Sequence, residues 1–183
     1  VYNVPDNQRG LLFLNGRFYK MLEPGQHAYL GKRFTLTLCT METSFELSNS
    51  TNLESFMKDA SLAPLLNVYD IPDQAIGLLF HCEGFLKALK PGRHTYLGEL
   101  FTLRRVTVHE EFDTYGLDID IFLKDMTLAS MLMVFDLKEN ERGLLYKDSL
   151  FIKLLPSGRN IYLGKNFSMT VVALDEEFLP GHT

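Results

Sequence analysis

One pattern recurs three times along this chain and limits every fold open to it. The first copy runs through Gly10, Phe18, Lys20, Leu22, Gly25, Tyr29, Leu30, Gly31 and Phe34. The second runs through Gly77, Phe85, Lys87, Leu89, Gly92, Tyr96, Leu97, Gly98 and Phe101, and the third through Gly143, Phe151, Lys153, Leu155, Gly158, Tyr162, Leu163, Gly164 and Phe167. The copies begin 67 and then 66 residues apart, with no gap needed inside a copy as far as the closing Phe45, Phe112 and Phe178. A period this regular makes each copy one supersecondary unit. Residues kept in all three serve the fold of a unit, because a catalytic residue gains nothing from triplication.

Within a copy the local signals are those of strands. Val1-Tyr2-Asn3-Val4 reads as a strand, matched by Val68-Tyr69-Asp70-Ile71 and Val134-Phe135-Asp136-Leu137. Gly10–Leu14 and Arg17–Leu22 flank Asn15-Gly16, a pair suited to the positive φ angles of a type I′ hairpin turn. Glu23-Pro24-Gly25 breaks the chain, and the retained glycines Gly25, Gly92, Gly158, Gly31, Gly98 and Gly164 are expected at turns. Gln26–Leu30 and Phe34–Met41 are further strand candidates, the latter alternating apolar residues with Thr35 and Thr37. Between the first two copies, Thr51-Asn52-Leu53-Glu54 has the form of a capping box. Leu53, Phe56, Met57 and Ala60 then fall on one helical face. The counterparts after the second copy are Asp120–Asp125 and Met126–Met131. The expected fold is α+β and strand-dominated: three tandem antiparallel β-units of residues 1–64, 65–131 and 132–183, joined by short helices. Units this small bury little surface alone, so Phe56, Met57, Leu62, Phe122 and Met126 are expected to pack between copies.

Charge excludes some functions. The net charge is −5, with no basic stripe of the kind that phosphate backbones require, so a nucleic-acid partner is not expected. No apolar run reaches the roughly 18 residues of a membrane-spanning helix. The chain starts at Val1 rather than Met, which reads as a fragment or a processed form. Cys39 and Cys82 occupy different positions in their copies and lack metal-ligand spacing, so neither a disulfide framework nor a zinc site is expected. His81-Cys82 as a nucleophile pair is not favoured either. His27 and His94 are equivalent, yet Asn160 replaces them in the third copy, which favours a turn side chain bonding to backbone over a metal ligand. His109-Glu110-Glu111, Asp113, Asp118 and Asp120 lack the glycine-containing spacing of a calcium loop and read as a solvated linker with a helix N-cap. Lys20, Lys87 and Lys153 recur on one strand face. Asp6, Asp73 and Glu139 are their expected partners inside each unit, with the lysine stem buried and the ammonium outward.

The third copy carries a resemblance. Lys138-Glu139-Asn140-Glu141-Arg142-Gly143-Leu144-Leu145-Tyr146-Lys147-Asp148, followed by Lys153-Leu154-Leu155-Pro156-Ser157-Gly158-Arg159, resembles the opening of a stomatin/slipin domain of the SPFH (band 7) superfamily. Leu174-Asp175-Glu176-Glu177-Phe178-Leu179-Pro180-Gly181 resembles the segment that leads into the next strands of that domain. The first two copies look like the tandem N-terminal extension of some bacterial slipins. The hydrophobic hairpin of a stomatin is absent here, and the chain stops before the bulk of the SPFH domain and its coiled coil. The resemblance implies a soluble, cytoplasmic extension held beside a membrane by its parent protein.

The functional expectation is a non-enzymatic scaffold or protein-docking module, with no catalytic residues, no cofactor and no metal. Its partners are another protein or a second copy of itself, and its access to a membrane runs through the parent only. The alternative is a free-standing repeat adaptor or inhibitor that binds another protein and has no connection to membranes.

Overall fold

The computed structural model describes residues 1–31, 33–41, 43–44 and 53–174. Phe45, the Thr51-Asn52 half of the capping box, and residues 175–181 of the SPFH-like segment lie outside the described residues. The fold is α+β and strand-dominated, made of small antiparallel sheets and a few short helices.

Copy one supplies β1 (Tyr2–Val4), β2 (Gln8–Leu14), β3 (Arg17–Leu22), β4 (Gly25–His27), β5 (Phe34–Thr40) and β6 (Thr43–Ser44), then α1 (Leu53–Lys58) and a 3-10 turn at Ala63–Leu65. Copy two supplies β7 (Leu66–Ile71), β8 (Ala75–His81), β9 (Gly84–Leu89), β10 (Gly92–Leu97), β11 (Phe101–Thr107) and β12 (Glu110–Glu111), then α2 (Ile119–Leu123) and α3 (Met126–Ala129). Copy three supplies β13 (Leu132–Leu137), β14 (Glu141–Lys147), β15 (Leu150–Leu155), β16 (Gly158–Leu163) and β17 (Phe167–Ala173).

Every copy uses the same pairing. Its first strand pairs with its fourth, as in β1–β4, β7–β10 and β13–β16, while its second strand lies between its third and fifth. The hairpin turn is the same in all three. Asn15 and Gly16 have φ of 53° and 75°, as the sequence predicts. Cys82-Glu83 (49°, 65°) and Asp148-Ser149 (50°, 66°) adopt the same geometry with no glycine at either central position. The fold imposes it there.

The tails of copies one and two do something the local pattern does not announce. β6 joins β10 through Tyr96↔Ser44 and Leu97↔Thr43. β12 joins β16 through Glu110↔Leu163 and Glu111↔Tyr162. Each copy thus hands a two-residue strand to the first sheet of the next, turning a two-stranded ribbon into a three-stranded sheet. In copy one the corresponding sheet is β1–β4 alone among the described residues, and β4 stops at His27 where the sequence predicts a strand to Leu30.

The chain divides into two compact units, one of Val1–Pro72, Phe80–Gly84 and Pro91–Leu103, the other of Asp73–Leu79, Phe85–Lys90 and Arg104–Thr183. Residues of the second copy therefore fall in both. In the first unit, period-two alternation along β2 sends neighbouring leucines to opposite faces. Leu12 joins Val4 and Leu22 beneath the β1–β4 ribbon. Leu11 joins Met21, Cys39, Phe56, Leu62, Leu66 and Leu97 on the other face. Phe56 and Leu62 thus link the main sheet of copy one to the small sheet of copy two, as expected. Met57 does not: it is 54% exposed, and Ala60 lies beyond the end of α1. The helix makes fewer than two turns, so only one strip of it reaches the core.

In the second unit, Leu137, Leu145, Leu155, Tyr162 and Phe167 form the cluster equivalent to that around Leu12. Phe122 is fully buried, its ring 4.7 Å from Phe85 and 5.2 Å from Phe112. Met126, grouped with it by the sequence, is 87% exposed, because the four-residue α3 turns Leu128 rather than Met126 into the core.

Glycine is retained for two different reasons. Gly143 lies inside β14, where a Cβ would come within 2.6 Å of Met169 Sδ and 3.0 Å of Leu137 Cδ1, so a side chain there has to displace the Met169 side chain. Gly92 has φ of 125° with nothing within 4 Å of a Cβ, so conformation alone demands it. Gly92→Val is expected to destabilise the protein by about 1–3 kcal/mol through backbone strain. Thermal melting by circular dichroism checks this, and an unchanged midpoint refutes it.

Candidate functional site

The side chains with chemical potential are dispersed and mostly committed to the fold. His27 Nε2 meets the Glu23 carbonyl at 2.7 Å. At the equivalent position, Asn160 Nδ2 donates to the carbonyls of Pro156 and Gly158, each at 3.2 Å. Histidine and asparagine thus do the same work, bracing the turn before the fourth strand. Among the described residues, no three His, Cys, Asp or Glu side chains converge as a metal site.

Cys39 is buried in the cluster around Leu11, and burial pushes its thiol up to about 11. Cys82 is exposed at the β8–β9 turn, its sulfur 3.8 Å from His81 Nε2. At pH 8 the Cys39 thiolate fraction is then about one in a thousand, while the thiolate is the reactive form. Iodoacetamide at that pH should label Cys82 rapidly and leave Cys39 unlabelled in the native protein, with both labelled in denaturant. Mass spectrometry reads the difference, and equal native labelling would contradict the placement of Cys39.

The acidic run is divided among structural tasks. Glu110 and Glu111 form β12, Asp113 Oδ1 accepts from the Tyr115 N–H at 2.7 Å, and Asp118 caps α2 by accepting from the Asp120 N–H. His109 and Asn166 lie 2.7 Å apart beside the strand handover.

Two of the recurring lysines, Lys20 and Lys153, pair differently from the sequence expectation. Lys20 sits over the Tyr29 ring at 5.5 Å rather than against Asp6, and its hydrogen bond with Tyr29 leads the causes that hold it above the ordinary lysine value. Lys153 meets Glu111 Oε2 at 2.7 Å and lies over the Tyr162 ring at 5.5 Å, rather than reaching Glu139. Its affinity for its proton is raised first by Glu111 and then by Tyr162. The side-chain partner type shared by these two lysines is therefore the retained tyrosine nine residues on, Tyr29 and Tyr162. Arg93–Asp70 and Arg159–Asp136, both bidentate across the first and fourth strands, form the exposed ion pairs common to copies two and three.

The remaining feature is a surface. The β15–β14–β17 sheet buries one face on the cluster of Leu145, Leu155 and Tyr162. Among the described residues nothing covers the opposite face: Phe151 is 57% and Leu154 55% exposed. In copy one the equivalent positions are Phe18, packed against Phe56 at 4.5 Å, and Met21, only 7% exposed. The third copy keeps the apolar residues of a covered face. Among the described residues β15 is also the edge strand of its sheet, and an edge strand presents outward N–H and C=O groups.

No family model, no curated protein and no solved structure matches the chain. Among the described residues, no helix is long and apolar enough to cross a membrane.

Proposed function

We propose that this chain is a non-enzymatic protein-docking module, the N-terminal extension of a slipin-like membrane organiser of the SPFH superfamily. The observation that carries the docking reading is the open face of β15–β14–β17, which presents Phe151 and Leu154 beside a strand edge. Aromatic and aliphatic anchors next to an open edge supply what strand- and helix-binding modules use: main-chain pairing for affinity and side-chain pockets for specificity. The β6–β10 and β12–β16 handovers use the same strand addition between repeats within this one chain. The slipin reading rests on the sequence of the third copy. Membrane proximity belongs to the parent, because a net charge of −5 without a basic amphipathic helix supplies no attraction to anionic lipid.

Two measurements test the reading. The 183-residue chain should stay unbound when floated with vesicles rich in phosphatidylserine. Used as immobilised bait in its native host, it should retain a protein that returns the chain in the reciprocal capture, or light scattering should show self-association. A chain that floats by itself, or one that is monomeric with no reciprocal partner, overturns the proposal.

A further inference from the structure

We infer that Asp59 and Asp125 guard the outer edges of β3 and β9 against strand addition by a second copy of this chain. The inference concerns copies one and two and stands apart from the docking reading above.

Strand addition is what these sheets do: β6 extends β10, and β12 extends β16. β3 and β9 are edge strands as well, the first outermost in β3–β2–β5 and the second in β11–β8–β9. An edge with unpaired N–H groups is a template for a further strand. Here one carboxylate meets each edge. Asp59 Oδ2 accepts from the Met21 N–H at 3.3 Å, and Asp125 Oδ2 accepts from the Ala88 N–H at 2.9 Å. Each oxygen stands where the carbonyl of an added strand would have to come, because a ladder bond needs a similar separation. Met21 and Ala88 are equivalent positions with unlike side chains, so the shared target is the backbone N–H itself.

The residue type fits this task. Oδ1 of the same side chains is spent on the turn that follows. It takes the Ser61 and Leu62 N–H groups in copy one, and those of Thr127 and Leu128 in copy two. Serine and asparagine start a helical turn as well as aspartate does. Only a carboxylate offers acceptors in both directions, since serine has a single oxygen and the second head of asparagine is a donor. The edge bond thus gives the acid a task in both copies that capping alone does not require.

One short motif brings it into place, Phe56-Met57-Lys58-Asp59 and Phe122-Leu123-Lys124-Asp125. Its ring packs on the guarded strand, Phe56 4.5 Å from Phe18 of β3 and Phe122 4.7 Å from Phe85 of β9. Three residues later the carboxylate reaches the edge of that same strand. With Phe56 3% and Phe122 0% exposed, the guard is held on a fixed base.

The test compares the whole chain with Asp125→Ser, whose hydroxyl caps α3 but leaves no acceptor for the strand edge. Amide exchange is followed by NMR in ¹⁵N-labelled protein, and mass by light scattering at rising concentration. In dilute solution the Ala88 amide should exchange at least about tenfold faster in the variant, with Leu78 inside β8 unchanged. On concentration the variant should gain mass beyond the parent, and its Ala88 amide should regain protection. Adding Leu86→Lys, which sets a charge on the bared edge at an exposed position, should return the mass to that of the parent. Asp59→Ser should act in the same way at Met21. A mass equal to the parent's in either serine variant overturns the inference. So does equal acceleration at Ala88 and Leu78, which makes the carboxylate a support of the whole unit. Extra mass that survives Leu86→Lys in the Asp125→Ser chain arises at another surface and also overturns it.

Discussion

Phe122→Ala should lower stability by about 3–5 kcal/mol, the range for emptying a fully buried aromatic site. The ring is 0% exposed and packs between Phe85 and Phe112, tilted to the first at 4.7 Å and edge-on to the second at 5.2 Å. Truncation removes both aromatic contacts and leaves a cavity lined by a strand and a helix that are held by Asp125. Because Asp125 anchors the start of α3 to Ala88, the backbone around the cavity has little freedom to collapse into it. A melting midpoint lower by on the order of 10 °C follows for a protein of this size. Met126→Ala is the control: at 87% exposure it should stay within about 0.5 kcal/mol of the parent. Equal effects of the two substitutions would contradict the packing described for this unit.

A fragment of residues 1–64 should fail to fold as a cooperative monomer. Cutting there removes Leu66 and Leu97 from the cluster that holds Phe56, Leu62, Leu11 and Met21. It also removes β10, the partner of β6. What remains is about the size at which a single core is marginal, with one face of its main sheet newly exposed and open edges free to aggregate. Dispersed amide resonances and a sigmoidal melt from this fragment would show that copy one is self-sufficient and that the cluster spanning two copies is dispensable. The parent chain under the same conditions provides the comparison.

Much of the fold was legible in the sequence because it depends on local physics. A threefold recurrence of glycine, aromatic and apolar residues implies the same strands and turns three times over, and Gly25, Gly92 and Gly158 have φ of 126°, 125° and 106°. Asn15-Gly16 announces its turn by residue type. Phe56, Leu62 and Phe122 are large apolar groups in short polar segments, and burial is their favourable outcome. Two other features were hidden for a shared reason. Thr43–Ser44 and Glu110–Glu111 have no strand signature, since two residues carry no alternation. Lys153 finds Glu111 of the preceding copy only because β12 has been laid on β16. Met57 and Met126 fit a helical stripe on paper, but helices of six and four residues bring only one strip of side chains to the sheet.

The candidate surface divides along the same line. The sequence by itself determined that copy three has the residues of a covered sheet face, Tyr146, Phe151 and Leu154 standing where Phe13, Phe18 and Met21 stand in copy one. Only the tertiary structure decided how these positions are packed among the described residues, with Phe151 57% exposed while Phe18 lies 4.5 Å from Phe56. Residue type and spacing fix what a strand can bury, because alternation is a property of the backbone. Whether it is buried depends on a segment far away in the chain arriving with a ring and a carboxylate, and that is settled by packing.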